Sequence, residues 1–497
     1  MACRLSVGAS FEDISTAASS IASRCTPEVA MNAPAATAAP GVMRPSSSAY
    51  RLLWRWHFYA GLFCLPFVLW LACTGLIYLF KPQIEPLLEQ RYAQVASAPA
   101  RPASAQVAAA LAAVPGTVLN AYQVPASPTA AAQVLLGHGS EIIRVYVDPA
   151  SLRVLHVVRD DDRFMRVIFY LHGELMLGNA GSMVVELAAS WTILLLLTGL
   201  YLWWPRGRRL AGVLYPRLGQ HGRVFWRDLH AVTAMWVSLL ALFLLVSGLP
   251  WAKSWGGLLR DARQTWTHAH AVQDWTIGSA DARAQAAAEN TPPDEHAMHH
   301  GMAGMGHMHA APADLAVLDR VLPAVRAQQI AAPVLIAPPS MKTAQWSARS
   351  DADDRSQRAD LSLDPVSGQV THRVDFAQRP LLDRLIGYGV AVHEGALFPP
   401  LNQILSAFTA LGLITTCISA VTMWWRRRPH GVLGAPPAHA DARHPRVFIA
   451  LLVLLGIFLP LLGASMLTVL IVERLALRRW PGTRRFLGLA AAHETSP

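Results

Sequence analysis

The 497-residue sequence predicts a multi-pass membrane protein. The expected fold is an all-α transmembrane bundle of about five helices, two parallel repeats plus one extra span, carrying two α+β lobes outside the bilayer. Three observations predict it. Hydrophobic residues make up 53% of the chain and charged ones only 15%, and the apolar residues gather into long runs. The short connections between those runs are crowded with arginine. One order of motifs is written twice at matching spacings.

Taken in chain order, residues 1–48, rich in Ala, Ser and Pro, read as a disordered tail. The first apolar run comes too late and runs too long for a cleaved signal peptide. Spans follow at 49–82, 183–204, 228–250, 400–425 and 446–473, each about long enough to cross a hydrocarbon core of ~30 Å. Outer lobes occupy 83–182 and 251–399; basic loops occupy 205–227 and 426–445. Arg51 and Arg55, "WWPRGRRLAGVLYPRLGQHGRVFWR" and "WWRRRPH" place those loops in the cytoplasm. The net charge of +10 is therefore a topology signal, and nucleic acid is not expected as a partner. Five spans would leave the tail 474–497 outside, yet "RLALRRWPGTRRF" is basic, so either the fifth span, which contains Pro460, re-enters or the count is off by one. Cysteines fall at 3, 25, 64, 73 and 417, none in the outer lobes, so no disulfide framework holds them.

The duplication is visible in spacing. His57 precedes Gly75 by 18 residues, and His230 precedes Gly248 by 18. That is about 27 Å of helix, close to one hydrocarbon thickness. "IIRVYVDPASLRVLHVV" and "ADLSLDPVSGQVTHRVDF" each alternate, turn at Asp-Pro-x-Ser and alternate again, which predicts a β-hairpin. Asp148 lies eight residues before His156, and Asp364 eight before His372. His172 lies 31 before Trp203, and His393 31 before Trp424. Both copies start inside, so they are parallel repeats packed about an axis along the membrane normal.

Four histidines are thereby repeated at two depths: His57 and His230 near the cytoplasmic edge, His172 and His393 near the outer edge. Imidazole is a strong axial ligand for iron, and two rings facing each other across an apolar bundle clamp a flat macrocycle. Two bis-histidine b-type hemes at the two levels would carry electrons across the membrane. Zinc fits less well, since it wants three or four protein ligands and no carboxylate lines up inside the spans. A hydrogen-bonded histidine at a span edge is the plain alternative for any one of the four. No residue stands out as an acid–base or nucleophilic catalyst, and no GxGxxG pocket for flavin or nicotinamide appears in the inner loops.

Other repeated or clustered residues carry less. His156 and His372 read as strand-face residues. Trp203, Trp204, Trp424 and Trp425 read as an interfacial aromatic belt. Gly75 and Gly248 either permit close helix contact or leave room for the outer macrocycle. Asp160, Asp161 and Asp162 read as a solvated loop. "HAMHHGMAGMGHMH" at 296–309 holds His296, Met298, His299, His300, Met302, Met305, His307, Met308 and His309. Thioether and imidazole together suit a soft metal, copper first. The insert belongs to copy two alone, so it is an accessory.

"RWHFYAG" at 55–61, "VDPASLRV" at 147–154, "YLHGELMLG" at 170–178, "RDLHAVTAMW" at 227–236, "LDPVSGQV" at 363–370 and "VHEGALF" at 392–398 resemble the PepSY-associated transmembrane proteins over roughly residues 50–430. The resemblance implies PepSY-like lobes and a location in the bacterial inner membrane. Members include heme-containing siderophore reductases, whose histidines match His57, His172, His230 and His393. It implies a metalloreductase acting on a ferric siderophore or other metal chelate in the periplasm, with a quinol or a cytoplasmic reductase as electron donor. A copper reductase of the same build, a metal or siderophore transporter, and a non-catalytic regulatory membrane protein are the alternatives.

Overall fold

The computed structural model describes residues 47–139, 141–205, 210–267, 313–340, 345–436, 446–477 and 479–489. The expected tail before residue 47 and the His/Met insert at 296–309 lie outside the described residues.

Copy one runs α1 (Ser47–Leu79), α2 (Lys81–Ala93), α3 (Ala103–Ala113), β1 (Val118–Val124), β2 (Ala132–His138), β3 (Glu141–Val147), β4 (Val154–Arg159), α4 (Phe164–Glu174) and α5 (Gly178–Trp203). Copy two runs α6 (Arg223–Gly248), α7 (Lys253–Thr267), α8 (Ala316–Ala327), β5 (Val334–Ala337), β6 (Trp346–Ser350), β7 (Ala359–Leu363), β8 (Val370–Asp375), α9 (Leu381–His393) and α10 (Leu401–Arg427). Of these, α1, α5, α6 and α10 are long and apolar enough to cross a membrane. Helix α1 packs on α5 and α10, and α6 on α10 and α5, so the four close a ring. Trp70, Trp236, Leu239 and Phe408 point outward from it, 44–78% exposed. A perimeter this apolar needs a hydrocarbon solvent, and the helices keep their backbone bonds internal as that solvent demands. The chain is a multi-pass membrane protein.

Residues 446–473 depart from the expected single span. They form two helices of 13 residues each, α11 (Arg446–Phe458) and α12 (Pro460–Val472). Leu459, at φ −118° and ψ 86°, leaves the helical region, and Pro460 has no N–H to continue the ladder. Gly456 and Gly463 let the two arms touch: a Cβ on Gly463 would lie 2.5 Å from the Gly456 carbonyl oxygen. Phe448, near the start of α11, packs on Leu53 and Trp56. Beyond α12, the Leu487 carbonyl accepts from Tyr59 and the Gly488 carbonyl from Arg55. Both ends of the hairpin thus lie beside the N-terminal end of α1, and its turn is buried, with Leu459 and Leu462 against Ile193 and Leu249. The C-terminal basic segment returns to the arginine-rich end, which resolves the conflict in the sequence.

The two expected lobes are one sheet. Eight antiparallel strands run β4-β3-β2-β1-β5-β6-β7-β8, joined across the copies by Tyr122↔Ile336, Gln123↔Leu335 and Val124↔Val334. Alternation buries one face: Val134, Leu136, Val145, Ile336, Leu361 and Leu363 pack under Val107 of α3 and Leu318 and Val321 of α8. The two Asp-Pro-x-Ser turns form as expected, with Ser151 donating to Asp148 and Ser367 to Asp364. They set equal registers, Tyr146↔His156 and Ser362↔His372, with a register shift just beyond each. His156 stacks on Tyr92 at 4.2 Å, and His372 is exposed.

Two acidic residues correct the sequence reading. Asp160 is not a solvated loop residue. It is 6% exposed and ion-paired with Arg144, Arg163 and Arg166. Burial opposes its charge, but Arg144, then Arg166 and Arg163, outweigh that and hold its carboxyl well below the usual carboxylate range. A carboxylate does sit inside a span: Glu186 of α5 is buried and accepts from the backbone N–H groups of Ser254 and Trp255. It caps the start of α7, where unpaired N–H groups and the helix dipole favour an anion.

Candidate functional site

His57 of α1 and His230 of α6 face each other across the four-helix ring, with ring centres 6.4 Å apart and planes at 81°. His172, on the last turn of α4, and His393, at the end of α9, do the same at the other end, at 6.4 Å and 79°. An imidazole–metal–imidazole unit with bonds of about 2.0 Å, and roughly 1.1 Å from nitrogen to ring centre, spans about 6.2 Å. The 6.4 Å between ring centres in each pair is close to that span. Gly75, which touches His172, lies 18 residues along α1 from His57. The two levels stand about 27 Å apart along that helix.

Hydroxyls set the rings. His57 Nδ1 lies 3.2 Å from Thr198 Oγ1, His172 Nδ1 3.0 Å from Thr74 Oγ1, and His393 Nδ1 3.0 Å from Ser247 Oγ. His230 Nδ1 lies 3.1 Å from the Thr416 carbonyl and 3.5 Å from Ser419 Oγ. Each hydroxyl already donates its proton to its own helix, Thr198 to Leu194, Thr74 to Trp70, Ser247 to Leu244 and Ser419 to Thr416. An oxygen whose proton is committed can only accept, so Nδ1 carries the hydrogen and Nε2 keeps the lone pair. Burial pushes the His172 imidazole down to about 4, and burial followed by the proximity of His172 does the same to His393. These two rings are neutral at neutral pH, the state a metal requires.

The residue after each hydroxyl is small. A Cβ on Gly199 would lie 3.0 Å from His57 Cε1, one on Gly75 3.0 Å from His172 Cε1, and one on Gly248 3.5 Å from His393 Cε1. The space at Gly75 and Gly248, which the sequence left between helix contact and room for a macrocycle, is filled by imidazole. The fourth pair is Ser419–Ala420. Sequence reasoning noted two of these glycines and missed all four hydroxyls. The signal was present: Thr74 to Ser247 is 173 residues, as is His57 to His230, and Thr198 to Ser419 is 221, as is His172 to His393.

The residues fit a bis-histidine heme at each level. Both pairs present two imidazoles whose Nδ1 is engaged by the protein, and among the described residues no cluster of three His, Cys, Asp or Glu competes as a metal site. Two axial donors are what an iron with four macrocycle nitrogens needs. Around the outer pair, Trp251 packs edge-on to His393 at 6.0 Å, and Arg355 lies over Trp251. A cavity of about 200 Å³, lined by Tyr78, Lys81, Asp353, Glu394 and Gln403 among others, opens beside it. At the other end Trp203 donates to the Val213 carbonyl and Trp424 to that of Leu433, pinning the basic loops, while Trp204 and Trp425 stand exposed.

Residues 54–427 match the family model described as the PepSY-associated TM region. No curated protein matches the chain.

Proposed function

Because the chain belongs to the family of proteins with a PepSY-associated transmembrane region, we propose that it is a transmembrane di-heme b metalloreductase of the bacterial inner membrane, passing electrons outward to a periplasmic ferric chelate. The observation that carries this reading is the pair of histidine clamps, each 6.4 Å between ring centres, at the two ends of one apolar bundle. His57 and His230 would hold one heme, His172 and His393 the other, and bis-histidine heme supplies reversible one-electron chemistry. The chain's own task is position and dielectric. Helices α1, α5, α6 and α10 surround the half-buried His57 and His230, and the hydroxyls keep Nε2 available. The outer clamp lies next to the cavity lined by Tyr78, Lys81 and Glu394, where a chelate can approach. The donor, a quinol or a cytoplasmic reductase, meets the arginine-rich end. Glu186 does not favour a transport reading, because its carboxylate is taken by the α7 N-terminus.

The test is optical. Purified protein should give a b-type reduced-minus-oxidised spectrum with two hemes per chain. Reduced protein should be oxidised in stopped flow by ferric siderophores, with cupric ion as the competing arm. A colourless protein refutes the reading; a heme protein that neither metal oxidises faster than buffer refutes the metalloreductase assignment.

A further inference from the structure

We propose that Thr74, Thr198, Ser247 and Ser419 are positioning residues that set the reduction potentials of the two sites, each through the histidine it holds. This rests on the di-heme reading above. The argument begins with repetition. Four times, on four different helices, a hydroxyl residue followed by glycine or alanine meets a histidine of another helix. A buried Thr or Ser in an apolar helix needs only its own backbone carbonyl to satisfy its proton. That requirement explains the donated bond and leaves the accepted one unexplained. The glycine explains it: by removing its side chain it lets the imidazole come within 3.0 Å of where a Cβ would stand at Gly75 and Gly199. The ring is brought up to the hydroxyl by the helix surface itself, and the pair of residues acts as one socket.

An acceptor on Nδ1–H makes the imidazole a stronger donor at Nε2, and a stronger donor favours ferric over ferrous iron. Removing the acceptor therefore raises the potential. The sockets also assign which level each residue governs. Thr74 and Ser247 act on the His172–His393 pair, Thr198 and Ser419 on the His57–His230 pair. Each ring also has a backbone carbonyl as acceptor, Leu195 for His57, Thr416 for His230, Leu71 for His172 and Leu244 for His393, so the hydroxyl is the second acceptor at each socket.

The experiment is a spectroelectrochemical titration of the full-length protein. Thr74→Val should raise the midpoint of one component by about 59 mV, a tenfold change in the ferrous-to-ferric ratio of a one-electron couple, and leave the other in place. Thr198→Val should raise the other component alone. Thr74→Ser and Thr198→Ser keep the hydroxyl and should restore both values. A component lost in the Val variant but retained at its wild-type potential in the Ser variant supports the assignment. Val variants with both midpoints unmoved, or Ser variants that shift as far as Val, overturn it with the di-heme reading intact. A wild-type protein without b-type heme overturns both.

Discussion

Two kinds of side chain decide what this molecule can do, and they behave in opposite ways when changed. On the proposed di-heme reading, the four histidines are ligands whose loss removes a site. His57→Ala or His230→Ala should abolish one component of the optical difference spectrum, and His172→Ala or His393→Ala the other, with heme content falling from two per chain to one. Loss of both components from a single change would mean one shared site or global unfolding. Asp160 is a charged anchor whose loss removes stability. Asp160→Asn strips Arg144, Arg163 and Arg166 of their shared counter-charge and should cost about 3–5 kcal/mol in thermal unfolding of the outer sheet region. Its carboxyl titrates below the ordinary value of about 3.9, so its contribution is complete above about pH 4 and fades as pH falls further. The gap between wild type and variant should close over the same acid range. The histidines were legible in the sequence because an 18-residue and a 31-residue spacing recur. Their hydroxyl partners were not read, because a Thr-Gly pair in a span says nothing about which ring faces it until the helix neighbours are known. Asp160 was misread for a similar reason: its three arginines lie on β3 and at the start of α4, and only the folded chain collects them.

At the scale of elements, the four long helices were legible from length and hydropathy, and the hairpins from Asp-Pro-x-Ser. The stretch 446–473 was not, since a largely apolar run of 28 residues satisfies the length of a span whether it crosses or doubles back. The deciding contact, Gly456 on Gly463, is seven residues apart in sequence and would be about 10 Å apart in a straight helix. The hairpin makes a testable claim about sidedness. In a background without native cysteines, Gly482→Cys, which follows α12, should resist a membrane-impermeant maleimide applied to the outside of intact spheroplasts. Val366→Cys, 79% exposed in the β7–β8 turn, should react at once. Equal labelling of both would restore a single crossing. Replacing Gly463 by Leu should drive the arms apart, because even a Cβ there meets the Gly456 carbonyl at 2.5 Å.

For the whole molecule, the sequence disclosed that a unit was used twice but not how the two uses join. Alternating strands reveal which face is buried and stay silent about which edge meets which. The outer lobes were therefore expected to be separate, and the pairing of β1 with β5 makes them one layer. The His/Met insert lies in copy two alone, between α7 and α8. Deleting residues 296–309 should leave both optical components and both midpoints unchanged while lowering copper bound at equilibrium dialysis; loss of either heme component would tie the insert to the core. The β1–β5 seam has a consequence for ancestry. A chain holding a single copy would expose β1 as a bare edge, a surface that proteins seldom leave open. Because the seam is antiparallel, two such chains would zip together about a twofold axis and bring their equivalent imidazoles face to face. The present chain has the form of two such subunits joined in one polypeptide, with the halves no longer identical: an alanine where its twin keeps a glycine, a His/Met-rich loop on one side only.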